Sequence, residues 1–139
     1  MILLDTCVIS EMLRPAPSPK VSAWMDSLPE EQVYIPSLVI GELEKGTELL
    51  PAGDKRAALR LWLEQLRRRF KGRILPFDEE TAVVWGSVTA RCRKSDRILP
   101  VIDSMLAATA LQHSAVLTTR NTADYQDTGV EVVNPWEHT

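Results

Sequence analysis

Five short apolar runs, three of them followed by a longer stretch of helical spacing, constrain this chain more than any other property. The runs are Ile2-Leu-Leu4, Gln32-Val-Tyr-Ile-Pro36, Arg73-Ile-Leu-Pro-Phe77, Ala115-Val-Leu-Thr-Thr119 and Val130-Glu-Val-Val133. Consecutive aliphatic residues over so short a length read as strands buried on both faces. Between them the apolar residues recur at helical intervals: Val8, Ile9, Met12 and Leu13; Val21, Trp24 and Met25; Leu38, Val39, Ile40 and Leu43, with Leu49 and Leu50 beyond; Leu59, Trp62, Leu63, Leu66 and Phe70; Ala82, Val83, Trp85, Val88 and Thr89. Ser18 with Pro19, Ser37, Asp54 and Asp78 stand where caps of these helices are expected. Val101 to Leu111 is apolar on most sides and is expected to be buried, after a polar turn from Arg91 to Arg97. Strands alternating with helices predict an α/β fold of three layers: a central parallel sheet of about four to five short strands with helices on both faces. No linker, repeat or low-complexity stretch interrupts the pattern, so residues 1–139 are expected to form a single domain.

Bulk properties narrow the function mainly by exclusion. The net charge of -3 gives no global basic field for nucleic acid. The two cysteines, Cys7 and Cys92, and the two histidines, His113 and His138, have no zinc-ligand spacing. The N-terminus lacks the basic region of a signal peptide, and no apolar stretch approaches the ~20 residues that span a bilayer. A cytoplasmic location without membrane attachment is therefore expected.

Four acids sit where apolar or neutral residues are normally found. Asp5 ends the first strand, Glu42 lies in Val39-Ile-Gly-Glu-Leu43, Asp103 interrupts the most apolar helix, and Asp124 follows the fourth strand. Each alone is more readily a helix cap or a surface acid. Together they are harder to dismiss, because Asp5 and Asp124 both follow central strands and so face the same sheet edge, with Asp103 on a helix beside it. Clustered carboxylates require a cation, and oxygen donors without His or Cys select Mg²⁺ or Mn²⁺. Such sites serve phosphoryl displacement.

At this point the chain resembles the PIN-domain ribonucleases, in particular the VapC/FitB-type toxins of prokaryotic toxin–antitoxin pairs. The matching stretches are Leu4-Asp-Thr-Cys-Val-Ile-Ser-Glu11, Ser37-Leu-Val-Ile-Gly-Glu-Leu43, Phe70-Lys-Gly-Arg-Ile-Leu-Pro76, Leu99-Pro-Val-Ile-Asp-Ser104, Leu117-Thr-Thr-Arg-Asn121 and Asn134-Pro-Trp136. They fall in the family's order over nearly the whole chain. The resemblance implies a PIN-like fold and a Mg²⁺- or Mn²⁺-dependent endoribonuclease leaving a 5′-phosphate and a 3′-hydroxyl. It places the catalytic, metal-binding acids at Asp5, Glu42, Asp103 and, as a more variable member, Asp124, with Thr6, Thr119 and Asn121 in support. It also implies a small DNA-binding antitoxin as partner, a homodimer, and a higher hetero-oligomer with the antitoxin. One position departs from the pattern: Cys7 stands where the family usually has Asn, whose amide would help hold the acidic site, so Asp5 is expected to be less firmly supported here.

Eight of the 16 Lys and Arg residues lie between Lys55 and Arg73. A solvated helix face and a phosphate-binding surface explain them about equally, and the Arg67-Arg68-Arg69 triplet favours RNA slightly. Arg120, inside the Thr-Arg-Asn motif, joins these three as a candidate RNA contact. The four tryptophans are expected in the core or at an interface. Three alternatives stand beside the toxin. A processing nuclease with the same domain is the nearest. A catalytically silent antitoxin-binding co-repressor is another, against which the retained acids argue. A haloacid dehalogenase-type phosphatase fits least, because its second Asp would fall at Cys7.

Overall fold

Five parallel strands lie in the order β3-β2-β1-β4-β5 in the computed structural model, which describes residues 1–139. They are β1 (Ile2–Leu4), β2 (Val33–Pro36), β3 (Ile74–Leu75), β4 (Val116–Thr118) and β5 (Glu131–Val133). In register, Leu3 of β1 faces Tyr34 of β2 on one side and Leu117 of β4 on the other. Six helices connect them: α1 (Thr6–Met12), α2 (Pro19–Asp26), α3 (Ser37–Leu49), α4 (Asp54–Arg69), α5 (Glu79–Lys94) and α6 (Val101–Gln112). This is the expected three-layer α/β arrangement.

The strand order decides where a crevice opens. From β1 the chain moves outward through α1 and α2 to β2, then through α3 and α4 to β3. It then returns through α5 and α6 to place β4 on the opposite flank of β1. Right-handed crossovers running in opposite directions put their helices on opposite faces. The core follows that division. Leu4, Val33 and Ile35 pack with Val8, Val21, Trp24, Val39, Leu43 and Leu63 from α1 to α4. Leu3 and Leu117, pointing the other way, pack with Ala107, Ala110 and Tyr125. The carboxyl ends of β1 and β4 are therefore a topological switch point, where ligand crevices form in open α/β sheets.

Several local expectations need correction. Ser37 and Asp54 are not caps: each is the first residue of its helix, after Pro36 and Gly53, and neither helix has a side-chain cap. Asp78 does cap α5, with the Thr81 hydroxyl closing a reciprocal capping box. On α5 the buried side chains are Thr81, Val88 and Cys92, and Val83 is 70% exposed. The helix also runs on to Lys94, through the stretch expected as a turn. In α6 burial begins only at Ser104, since Val101 is 61% exposed. From there Ser104, Ala107, Ala108 and Ala110 are small enough to let α6 lie close to the sheet and to α5. No helix is long and apolar enough to cross a membrane.

Candidate active site

The backbone brings the first acid to the crevice by ending β1 at Leu4 and starting α1 at Thr6. Asp5 is the N-cap between them, in extended conformation, and its backbone N–H donates to the Thr118 carbonyl of β4 at 3.0 Å. Its side chain is only 7% exposed. Oδ1 accepts from the Thr6 N–H at 2.7 Å, and Oδ2 accepts from the Thr119 hydroxyl at 2.7 Å and the Cys7 thiol at 3.4 Å. Asp5 is thus a helix cap and a crevice acid at once. No cationic side chain pairs with it.

The loop after β4 supplies the opposing wall. Thr119 is fully buried, donates to Asp5 and accepts from the Asn121 N–H at 3.1 Å. Asn121 contributes through its backbone: its carbonyl accepts from the Asp124 N–H at 3.1 Å, turning the chain so that Asp124 faces back toward the crevice. Glu42 reaches the site from α3, where the Thr6 hydroxyl donates to its Oε1 at 2.6 Å. Thr6 therefore links two of the expected acids, bonding Asp5 through its backbone and Glu42 through its side chain.

Asp103 sits in the first turn of α6 and is partly buried. Its carboxyl is pushed above the usual carboxylate range, first by burial and then by the negative charges of Asp124, Asp5 and, more weakly, Glu42. The Tyr125 hydroxyl donates to Asp103 Oδ1 at 3.4 Å and opposes that rise. Asp124, Asp5 and Glu42 are thus near enough for their charges to act on Asp103, and none of the four takes part in a salt bridge within the chain. No three of them stand close enough to hold one ion directly.

Cys7 behaves differently from what its identity suggested. Its thiol donates to Asp5, lies 3.6 Å from the Thr119 hydroxyl and accepts from the Arg120 N–H at 3.5 Å. Burial, and then the Asp5 charge, raise the thiol and keep it protonated, which makes it a donor. Cysteine therefore does support Asp5, through a weaker donor than an amide. Tyr125 is the residue that sequence reasoning passed over. It is 2% exposed, and burial together with the surrounding acids drives its hydroxyl strongly upward, so it remains a donor to Asp103. Its only sequence signal was an aromatic residue directly after Asp124.

The basic stretch of α4 divides in two. Arg56 and Arg60 pair with Glu44 and Glu48 of α3, and Arg69 pairs with Glu30 at 2.9 Å. Arg73 donates to the Glu30 and Val33 carbonyls, both at 2.7 Å, and lies over the Phe70 ring. These four cations hold the fold together. Arg67 and Arg68 instead border a shallow exposed hollow with Lys71, Gly72 and Ile74. Arg120 is exposed at the crevice edge, above the ring of Trp136.

Beside the acids, an apolar cleft runs between α1, α3 and α4, from Thr6 and Glu42 past Leu13 and Leu43 to Leu59 and Trp62.

Comparison with known proteins agrees with this architecture. A family model described as the PIN domain matches residues 2–129. The chain is 44% identical over 137 residues to the toxin FitB of Neisseria gonorrhoeae, covering 98% of this chain and 99% of that one. It is 34% identical over 138 residues to the VapC ribonuclease Y4jK of Sinorhizobium fredii, covering 99% of both. Among solved structures, a chain of FitAB bound to an IR36 DNA fragment superposes with a TM-score of 0.95 at 41% identity, covering 100% of this chain and 98% of that one.

Proposed function

Because the chain belongs to the PIN-domain family, we propose that it is the endoribonuclease toxin of a toxin–antitoxin pair, a hydrolase that cuts RNA phosphodiester bonds at the switch-point crevice. The observation that carries this reading is the raised carboxyl of Asp103, surrounded by Asp124, Asp5 and Glu42 with no cationic side chain paired to any of them. Such a cluster is unfavourable in isolation and is relieved by a bound cation.

The donors fit a hard divalent ion. They are all carboxylate oxygens, and the one nearby sulfur is held as a neutral thiol. We assign Asp5, Glu42, Asp103 and Asp124 to Mg²⁺ or Mn²⁺. Mg²⁺ usually keeps several waters and takes one or two carboxylates plus substrate phosphate, so a site without three acids in direct reach suits it. When bound, the ion supplies Lewis acidity and a lowered pKa for attacking water. The remaining side chains orient these acids. Thr119 and Cys7 hold Asp5 from the β4 side, Thr6 sets Glu42, and Tyr125 holds Asp103. Thr119 is buried, so its hydroxyl is shielded from competing water.

The antitoxin partner follows from the relatives, one of them a toxin and one solved as a complex on DNA. The apolar cleft beside Thr6 and Glu42 is the surface we assign to it, since an amphipathic helix fits such a groove and would end at the acids. A homodimer would cover the exposed Leu49 and Ile102, which with Leu38 line a hollow beside Glu42 on its other side. One domain acting in the cytoplasm completes the reading.

Inducible expression tests it. The wild-type chain should arrest growth and yield RNA cuts at defined positions, Asp5→Asn should do neither, and co-expression of the antitoxin should restore growth. Arrest by Asp5→Asn equal to wild type would remove the assignment. Cutting without arrest, and without an antitoxin partner, would point to a processing nuclease.

A further inference from the structure

An acidic crevice repels the polyanion it has to cut, so some cation on the same edge must offset that repulsion. Arg56, Arg60 and Arg69 of α4 are unavailable, being committed to Glu30, Glu44 and Glu48. Arg120 is placed differently. Its backbone N–H donates to Cys7 Sγ at 3.5 Å, and the preceding residue, Thr119, bonds Asp5 directly. The main chain of Arg120 is therefore part of the crevice wall.

Its side chain is held in one direction. The guanidinium carbon lies 4.5 Å from the centroid of the Trp136 ring. Trp136 is itself fixed: its backbone N–H donates to Asn134 Oδ1 at 3.0 Å in the turn after β5, and the indole packs against the main core. Stacking covers one face of a guanidinium and leaves the N–H donors in its plane free. Arg120 is exposed, and its guanidinium makes no hydrogen bond or ion pair within the chain. Glu11, buried on α1, adds an attractive field without a direct contact.

We propose that Arg120, laid over Trp136, is the RNA-phosphate contact of the crevice, with the Asn134-Pro135-Trp136 turn acting to aim it. This rests on the ribonuclease reading and adds the group that orients the substrate backbone. A planar, pre-aimed guanidinium suits bidentate binding of a phosphate adjacent to the scissile one. The Arg67–Arg68 hollow has no such aiming contact and is not in the crevice wall.

Binding of a fluorescein-labelled oligouridylate, measured in EDTA over a range of salt, tests this without cleavage. Arg120→Gln should weaken binding roughly tenfold and lower the salt slope by about 0.7, while its thermal unfolding stays at the wild-type midpoint because the side chain is exposed. Arg120→Lys should keep the slope and lose part of the affinity. Trp136→Phe should bind like wild type, and Trp136→Leu should fall between wild type and Arg120→Gln. With Mn²⁺ present, Arg120→Gln should raise KM and leave kcat nearly unchanged. Wild-type affinity and slope for Arg120→Gln would overturn the proposal alone. So would a larger loss for Arg67→Gln, which would move the contact to α4. A wild-type protein that neither binds nor cuts RNA would overturn the ribonuclease reading and this contact with it.

Discussion

The Thr119 hydroxyl donates to Oδ2 of Asp5 across 2.7 Å, joining two residues 114 positions apart at the ends of adjacent strands. The bond is buried and, with the Thr6 N–H on Oδ1, fixes the orientation of the Asp5 carboxylate in the crevice. Thr119→Val keeps the shape and removes the donor. Loss of a hydrogen bond that holds a metal-binding carboxylate in place costs about 10–100-fold in metal affinity or activity. We expect Mn²⁺ binding by calorimetry to weaken within that range and Thr119→Ser to restore it. Equal binding by the valine variant would show that Asp5 is positioned without this bond.

Thr6 has the same relation to Glu42, at 2.6 Å. Thr6→Val should lower the cleavage rate by about 10–100-fold and leave the fold intact, because the residue is only partly buried. Thr6→Ser should retain most activity. Circular dichroism would separate this from a helix defect, since the backbone N–H that bonds Asp5 is unchanged.

Cys7 contributes a weak donor where an amide is the family's usual choice. Cys7→Asn should preserve or tighten Mn²⁺ affinity, Cys7→Ser should stay within a few fold of wild type, and Cys7→Val should lose roughly tenfold. An unaffected Cys7→Val would mean that Thr119 and the Thr6 N–H suffice to hold Asp5.

Asp103 gives a pH signature in the metal-free protein. Its folded carboxyl titrates above its unfolded value, so the native state binds more protons between the two. The stability it contributes is complete below the unfolded value near 3.8 and is lost as pH rises through the folded one. At neutral pH Asp103→Asn should therefore raise the metal-free Tm by a few degrees while abolishing cleavage. Divalent metal should raise the wild-type Tm and leave the variant's almost unchanged. A lower metal-free Tm for Asp103→Asn would contradict the repulsion among these acids.

The acids were legible because each breaks a local pattern: Asp5 a strand, Glu42 and Asp103 helices that are otherwise apolar nearby. The alternation of runs predicted a parallel sheet with the strands before Asp5 and Asp124 at its centre, whereas the strand order, and the switch point it creates, depends on tertiary pairing that no run announces. The supporting bonds were less accessible. Cys7 and Tyr125 act through tertiary neighbours, and no spacing in the chain announces that a thiol will face Asp5 or that a phenol will face Asp103. The cap predictions at Ser37 and Asp54 failed because residue type alone does not specify where the helix starts; both side chains fall one position inside it. The Arg67–Arg69 triplet likewise looked uniform, yet only Arg69 meets Glu30 across the fold.

The central claim is that these acids form one cation-dependent catalytic site, and cleavage of bacterial RNA by the purified protein tests it most directly. Wild type should cut on addition of Mg²⁺ or Mn²⁺ and stop with EDTA, leaving 5′-phosphate ends. Asp5→Asn and Asp103→Asn should each lose at least ~10³-fold in rate, since each removes a charge the site is built from. Cleavage that persists in EDTA, or that either variant retains at the wild-type rate, would contradict the account.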